Sequence, residues 1–332
     1  MLRIASQIIS LLAVLFSVAA LAGGSNYRVA PGARIISGKI TEWVVPTRQY
    51  PRDPVVATDG SIYFALREGD RIARFDPKTQ QFKEWRLRDG FRPNGVRIAR
   101  DGKILFTGLG YGVIGELDPA SGTVHEYATT AQISHPYTII LDPNGSSVWF
   151  TERTTGNVVK LDRPSGKLKS YKVGKDVYGL AIDARGDVWV SRLKDDKLTK
   201  LDPNTGRHTD IELPLGSIPR RLAISADGML WVTYYGAGKL AKVDTVTNRI
   251  LKVYILPGGP SSGPYAVNAD AAGRIWVSEI QTDNIDVLDP RSETFQVFKL
   301  PSKGSGVRKA AIDTEGRYWY CASHSGKLGM IE

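Results

Sequence analysis

The chain has 332 residues, of which 42% are apolar and 23% charged, a composition that excludes a disordered or low-complexity protein. Its single cysteine, Cys321, excludes an intrachain disulfide framework, so stability must come from packing and topology. The formal net charge of +10 is spread along the chain without a long run of Lys or Arg. This distribution argues against a nucleic-acid interface and favours anionic ligands or surfaces.

The first 22 residues predict a signal peptide. Arg3 supplies a positive charge, Ile8–Leu21 is an almost unbroken apolar run, and Ala20 and Ala22 form a small-x-small cleavage site. A membrane anchor is the alternative, but a bilayer span needs about 20 apolar residues. We therefore expect cleavage before Gly23, export to the periplasm or the medium, and no integral membrane segment in the mature chain. Residues 23–34 are predicted to form a short extension ahead of the folded domain.

A repeat of about 42 residues runs through the rest of the chain. Its marker is an aromatic or large apolar residue that follows a glycine-containing turn, at Tyr63, Leu105, Trp149, Trp189, Trp231, Trp276 and Trp319. In one unit, four short strand patterns cover Tyr178–Asp183, Val188–Ser191, Leu198–Leu201 and His208–Leu213. Four short strands per repeat are typical of a β-propeller blade. The sequence thus predicts an all-β, seven-bladed propeller over residues 35–332.

The two ends of the repeat region predict how the ring closes. The seventh unit stops after its third strand, at Lys327–Ile331. Residues 36–46 resemble the fourth strands of other units, such as residues 120–127. The N-terminal strand is therefore expected to complete the last blade, which would remove two exposed sheet edges.

The first strand of each blade lines the central channel of a propeller, and its first residues surround one mouth. In this chain those positions hold Arg52, Asn94, Tyr137, Tyr178, Arg220, Tyr265 and Arg308. Such a set of donors and aromatic faces suits an anionic, carbonyl-rich or aromatic ligand. Alternatively, the mouth is polar and solvated, with no dedicated ligand.

A second set of positions lies three residues after each marker, at Leu66, Gly108, Glu152, Arg192, Tyr234, Glu279 and Ala322. Glu152 and Glu279 are candidate ligands of Mg²⁺, although their blades are not adjacent, and Arg192 is a candidate contact for substrate. In the alternative interpretation each glutamate pairs with a neighbouring arginine. Of the four histidines, His135 and His324 are the candidate general bases.

The repeat resembles the virginiamycin B lyase family, also called streptogramin lyases, over residues 35–332. The segments that carry this resemblance are Gly263–Val267, Val148–Glu152, Ile275–Glu279, Val113–Asp118 and Gly38–Trp43. The resemblance implies a seven-bladed propeller that opens a cyclic depsipeptide by Mg²⁺-assisted elimination, with a histidine as base and glutamates at the metal.

The sequence departs from the family pattern at three places. Arg52 stands where a tyrosine of blade one is typical, and Tyr265 stands where blade six has a histidine. A Glu-Pro-His segment of blade seven is replaced by Gly306–Arg308.

Two functional classes follow. The first is a lyase acting on a cyclic ester, with His135 or one of the tyrosines (Tyr137, Tyr178, Tyr265) as base. In it, Glu152 or Glu279 would hold Mg²⁺, and the arginines would bind the substrate carbonyl or carboxylate. The second is a non-catalytic envelope propeller that binds an anionic small molecule, a glycan or a protein. A calcium-dependent lactonase-type propeller fits less well because the mouth has few acids. We expect a monomer.

Overall fold

The structure is a computed structural model that describes residues 33–36, 38–142 and 144–332. The predicted signal peptide and nearly all of the predicted extension lie outside the described residues. Strands account for almost all of the regular structure, and one 3₁₀ turn spans Arg67–Gly69. Within the described part of the chain, no helix has the length and apolar character needed to cross a bilayer.

Twenty-nine strands follow one another along the residues that the structure describes. Two precede the first complete blade: β1 (Arg34–Ile35) and β2 (Ile40–Val44). Blade one contains β3 (Pro51–Val56), β4 (Ile62–Leu66), β5 (Arg71–Asp76) and β6 (Gln81–Arg86). Blade two contains β7 (Pro93–Ile98), β8 (Ile104–Gly108), β9 (Val113–Leu117) and β10 (Val124–Ala128). Blade three contains β11 (Pro136–Leu141), β12 (Ser147–Glu152), β13 (Asn157–Asp162) and β14 (Leu168–Lys172).

The remaining blades have the same plan. Blade four contains β15 (Val177–Ile182), β16 (Val188–Arg192), β17 (Lys197–Leu201) and β18 (His208–Glu212). Blade five contains β19 (Pro219–Ile224), β20 (Met229–Tyr234), β21 (Lys239–Asp244) and β22 (Arg249–Ile255). Blade six contains β23 (Pro264–Ala269), β24 (Ile275–Glu279), β25 (Asn284–Asp289) and β26 (Thr294–Lys299). Blade seven contains β27 (Ala310–Ile312), β28 (Tyr318–Ala322) and β29 (Lys327–Ile331).

The four strands of each of blades one to six form an antiparallel meander in chain order, and in blade seven β27, β28 and β29 pair in the same way. The first strands of neighbouring blades contact one another all the way around, from β3 and β7 to β27 and β3, and so enclose a central channel. The prediction of an all-β propeller with seven four-stranded blades is confirmed.

The predicted ring closure is also confirmed. β2 pairs antiparallel with β29 as the outer strand of blade seven, with Trp43 opposite Leu328. The Trp43 ring stacks on Trp319 at 5.8 Å and contacts Phe75 of blade one at 4.8 Å. The two-residue strand β1 was not predicted; it pairs in parallel with β26 and so attaches the same N-terminal segment to blade six.

The repeat markers are buried between blades, and four of the tryptophans among them donate a hydrogen bond from the ring nitrogen, three to an aspartate and Trp231 to Ser225 Oγ. The indole Nε1 donates to an aspartate at the end of the innermost strand, from Trp189 to Asp183 at 3.0 Å and from Trp319 to Asp313 at 2.8 Å. A buried indole N–H needs such an acceptor. The recurrent spacing of aspartate, glycine and tryptophan in the sequence thus has a direct structural cause.

Five buried hydroxyls join successive blades near the channel, and we call them the clasp hydroxyls: Thr107, Thr151, Ser191, Thr233 and Ser278. Each accepts a hydrogen bond from the backbone of its own innermost strand and donates to a carbonyl of the next blade. Thr151 shows the pattern: it accepts from the Thr138 N–H at 3.1 Å and donates to the Tyr178 carbonyl at 3.2 Å.

Replacing Thr151 by valine should destabilise the ring by about 1–3 kcal/mol, because a buried N–H and a buried carbonyl lose their partner. The measurement is urea-induced unfolding. Thr151→Ser is the control, since it keeps the hydroxyl and should retain more of the stability. A valine variant as stable as the wild type would show that the clasp contributes nothing to folding.

Candidate functional site

In blades one to six the residue immediately before the innermost strand has a left-handed backbone, and in blade seven Gly306, four residues before β27, has one as well. We call these the rim residues. Their φ angles lie between 46° and 66°, at Tyr50, Arg92, His135, Asp176, Ile218, Gly263 and Gly306. Only two are glycines, although the left-handed conformation costs other residues roughly 1–2 kcal/mol. Retained strain of this kind is concentrated at functional sites. The rim is therefore where a site is expected.

A cavity of about 390 Å³ opens among three of the rim residues on the side of blades two to four. Its lining consists of Arg92, Leu109, His135, Tyr137, Arg153, Thr154 and Asp176. We call it the mouth cavity. Its size is within the range of small-molecule sites.

Hydrogen bonds fix the polar walls of the mouth cavity. His135 Nδ1 lies 2.7 Å from Thr154 Oγ1. Arg153 Nε donates to Asp176 Oδ1 at 2.9 Å, and the Arg153 guanidinium lies 5.3 Å from the centre of the Tyr137 ring. The lining thus holds two arginines and one histidine but a single carboxylate. Arg153 is paired with that carboxylate, and Arg92 donates to Glu68 Oε1 at 3.4 Å outside the lining.

Three tyrosines from blades three, four and six close the channel beneath the mouth, and we call them the tyrosine floor. The Tyr137 and Tyr178 rings are 4.7 Å apart, and the Tyr178 and Tyr265 rings 6.2 Å apart, with the latter two hydroxyls hydrogen-bonded. All three side chains are buried. The floor brings together side chains that are far apart in the sequence.

Two of the predicted arginines belong to this floor. Arg52 is 1% exposed and donates to the Tyr137 hydroxyl at 3.3 Å. Arg220 donates to the Tyr265 hydroxyl at 3.4 Å, and its guanidinium lies 4.9 Å from that ring. The cations and the phenols therefore form one cluster.

Within this cluster the three tyrosine hydroxyls have different pKa values. Burial would raise the pKa of Tyr137, but the positive charges of Arg52 and Arg221, with hydrogen bonds from Tyr178 and Arg52, lower it to about 7. Burial raises the pKa of Tyr178 and of Tyr265, and the nearby Tyr137 hydroxyl raises both further. Tyr137 is thus the hydroxyl of the floor that most readily loses its proton.

The other predicted mouth residues lie in different surroundings. Asn94 is fully buried and donates to the Tyr137 carbonyl at 3.3 Å. Arg308 is half-buried and donates to the Gly306 carbonyl at 2.8 Å, with His324 Nε2 at 3.4 Å. Arg192 is held by Asp195 and by Asp210, the latter at 2.7 Å, so its charge is already neutralised within blade four.

The two predicted metal ligands occupy equivalent positions in separate blades. Glu152 is fully buried and accepts from the Thr130 N–H at 3.0 Å and from the Thr155 hydroxyl at 2.8 Å. Glu279 accepts from the Gly258 N–H at 3.0 Å and from the Thr282 hydroxyl at 2.8 Å. Their partners are therefore hydroxyls and backbone amides rather than the neighbouring arginines considered above, and each carboxylate holds the loop that precedes its blade.

The donor set at the mouth does not fit Mg²⁺. Both glutamates are engaged in hydrogen bonds, and the mouth cavity is surrounded mainly by cations. Asp286, the acid next to Glu279, lies inside blade six, where burial and the Glu279 charge raise its pKa well above the usual range. Among the described residues, no group of three or more acidic, histidine or cysteine side chains is arranged to hold a metal ion.

Several residues of the site were missed by the sequence analysis. Asp53 and Arg221 directly follow the predicted Arg52 and Arg220, and both are buried in the channel. Simple alternation along a strand would send consecutive side chains to opposite sides. In both strands the pairing register shifts near these residues, which allows two successive side chains to reach the channel.

The fold and the mouth define a seven-bladed propeller whose channel is closed by tyrosines, with arginine side chains at its mouth. The model of the virginiamycin B lyase family matches residues 31–177 and 82–332. The chain belongs to the virginiamycin B lyase family. No protein among the curated sequences is significantly similar to this chain.

Solved structures with the same fold include a virginiamycin B lyase from Staphylococcus aureus, at 20% identity and a TM-score of 0.81 over 89% of this chain and 99% of that one. A streptogramin B lyase is 22% identical, with a TM-score of 0.81 over 89% and 97% of the two chains. An extracellular domain assigned to a hybrid two-component system from B. thetaiotaomicron is 16% identical, with a TM-score of 0.69 over 89% of this chain and 43% of that one. At these identities the likeness shows the fold alone.

Glu279→Ala should destabilise the protein by about 1–3 kcal/mol, because the Gly258 N–H and the Thr282 hydroxyl lose a charged acceptor. Addition of Mg²⁺ should leave the melting temperature of the wild type unchanged relative to NaCl of equal ionic strength. Thermal unfolding measures both effects. A Mg²⁺-dependent rise in the wild type that disappears in Glu279→Ala and in Glu152→Ala would contradict this assignment.

Proposed function

We propose that this protein is an exported propeller that binds a small anionic or carbonyl-rich molecule in the mouth cavity. One observation carries the proposal: Arg92, His135 and Arg153 line the same cavity as Tyr137, and the Arg153 guanidinium lies 5.3 Å from the centre of the Tyr137 ring. Guanidinium groups beside an aromatic face recognise carboxylates and carbonyls through directed hydrogen bonds and stacking.

The construction of the rim supports this proposal. Arg92, His135 and Asp176 each keep a functional side chain in a left-handed position, whereas the corresponding residues of blades six and seven are glycines. These are three of the five non-glycine rim residues, and all three line the mouth cavity. Folding alone would be served better by glycine at these positions.

Export is part of the proposal. It is supported by the predicted signal peptide, with Arg3 ahead of the apolar run Ile8–Leu21. The B. thetaiotaomicron neighbour is described as an extracellular domain. We propose further that the mature protein is a monomer and that the mouth cavity faces solvent.

Arg153→Gln should weaken ligand binding about ten-fold or more, because it removes a charged donor from the cavity wall. The probes are benzoate, as an aromatic carboxylate, and quinupristin, the molecule named with a catalytically inactive S. aureus virginiamycin B lyase. Isothermal titration calorimetry measures the affinity.

The matched control is Arg274→Gln. Arg274 also pairs with an aspartate, Asp270, and its side chain is 42% exposed against 34% for Arg153, but it lies away from the mouth cavity. Its loss should leave binding unchanged. Equal affinities for the wild type and Arg153→Gln, or an equal loss in both variants, would refute binding in this cavity.

A second candidate function is elimination across an ester, and the observation that favours it is the position of Tyr137 between Arg52 and Arg221. The Tyr137 phenolate would take a proton from the carbon next to a carbonyl. The C–H electrons would then form a C=C bond as the ester C–O bond breaks, and the oxygen would leave as a carboxylate. Neighbouring guanidinium groups would stabilise that carboxylate. No metal is needed to balance this step.

If the protein catalyses elimination, we expect three results with quinupristin or a simpler cyclic ester as substrate. The ring should open without a change of mass, whereas hydrolysis would add one water. The rate should rise as the pH passes through about 7, where Tyr137 loses its proton, and it should be abolished in Tyr137→Phe. Mass spectrometry and a pH–rate profile test this. A Tyr137→Phe variant that retains the full rate would exclude Tyr137 as base, and no ring opening at any pH would leave only the binding function.

A further inference from the structure

The channel contains a second chamber below the tyrosine floor. Its volume is about 240 Å³, and its polar lining includes Arg97, Thr138, Arg221, Asn268 and Lys309. The lining extends to Ile224 and Ala269, where the innermost strands of blades five and six end. The chamber therefore belongs to the half of the channel opposite the mouth cavity.

The chamber holds more positive than negative charge. Lys309 Nζ and Arg221 Nη2 lie 3.5 and 3.7 Å from Asp53 Oδ2, and Arg52 Nη2 lies 3.4 Å from Asp53 Oδ1. Arg97 also acts on the same carboxylate from blade two. One aspartate thus faces four basic side chains from four different blades. Even a Tyr137 phenolate on the other side of the floor would leave an excess of positive charge.

Some of the hydrogen-bond donors in this cluster have no acceptor. Arg221 is 4% exposed, and its Nε and Nη2 atoms have no hydrogen-bond partner among the described residues. Lys309 Nζ is buried and lacks one as well in the same part of the chain. An unsatisfied buried charged donor is destabilising. Uncompensated burial also lowers the pKa of Arg97 to about 10 and the pKa of Lys309 well below its usual range.

A role in maintaining the fold does not account for the basic side chains of the chamber. The alanine or glycine found at the same strand position in blades two, four and six (Gly95, Gly179 and Ala266) shows that the ring needs no cation there. Blades five and seven place Arg221 and Lys309 at that position. Cations that converge on a chamber with spare donors are instead the arrangement that binds an anion.

We propose that the chamber below the tyrosine floor is a binding site for a compact oxyanion, either a small carboxylate or a phosphate or sulfate group. Arg221 and Lys309 donate to the anion from two blades, and Arg97 contributes a third charge. Thr138 Oγ1 holds Arg221 Nη1 at 2.7 Å and so fixes the direction of the guanidinium.

This site is separate from the mouth cavity and does not depend on the function proposed for it. The buried rings of Tyr137, Tyr178 and Tyr265 lie between the two spaces. Arg221 is in contact with both sides, since its guanidinium lies 5.1 Å from the centre of the Tyr178 ring. An anion in the chamber would draw Arg221 away from the floor and thereby change the acidity of Tyr137.

Calorimetric titration of the mature protein with sodium malonate and with sodium phosphate, at constant ionic strength in NaCl, tests the site. Calorimetry is preferred to a thermal shift because phosphate stabilises proteins in general through exclusion from their surface. We expect saturable binding of at least one anion at millimolar concentration or below. Binding of malonate alone would identify a carboxylate site, and binding of phosphate alone a phosphate or sulfate site.

Lys309→Met and Arg97→Gln should each weaken this binding at least ten-fold. Two substitutions are used so that the test survives if one variant fails to fold. The control is the mouth variant Arg153→Gln, which should bind the anion with wild-type affinity. Conversely, Lys309→Met should retain the wild-type affinity for mouth ligands. The absence of saturable binding with either anion, or wild-type affinity in both chamber variants, would overturn the proposal.

Discussion

The ring depends on how one blade is fastened to the next beside the channel, where water cannot satisfy the backbone. Five clasp hydroxyls do this, each joining an amide of one blade to a carbonyl of its neighbour. Blade one has Ala65 at the corresponding position, so its seam with blade two lacks a clasp hydroxyl, and Cys321 leaves the same gap at the seam between blade seven and blade one. There Ser323 donates to the Pro51 carbonyl at 2.8 Å, and the Trp43 side chain packs across the junction.

The same arrangement determines what the channel can contain. The register shift near the start of the innermost strands brings successive side chains inward, so seven blades supply two layers of residues. The upper layer is mainly phenol and guanidinium, and the lower layer combines small residues with Asp53, Arg221 and Lys309. Bulky residues above and small residues below produce a closed floor with an open chamber beneath it. The charged side chains of the lower layer are therefore gathered at the chamber.

Much of the fold could be predicted from the sequence because the same pattern recurs in seven units, so that an ambiguous unit can be interpreted from the others. Seven markers at regular spacing define the blades, and the incomplete last unit defines the closure. The two residues of β1 form too short a pattern to be recognised. The convergence of Arg52, Tyr137, Tyr178, Arg220 and Tyr265 followed from their equivalent positions. Their ionisation did not, because it depends on burial and on which charges meet across the channel.

The partners of the glutamates show a second limit. Glu152 and Glu279 bond to Thr130 and Gly258, which belong to loops that a strand pattern cannot place. A carboxylate whose oxygens accept hydrogen bonds from such a loop looks the same in the sequence as one that is free to bind a metal. The repeat therefore indicated the position of these acids and not their hydrogen-bond partners.

The attachment of the N-terminal segment to both blade six and blade seven bears on how the protein is made. The strands β1 and β2 pair with residues 296–297 and with residues 327–331. The first part of the domain to be synthesised must therefore wait for the last, and contacts so distant in sequence slow folding. During that interval the chain remains without the outer strand that completes its last blade.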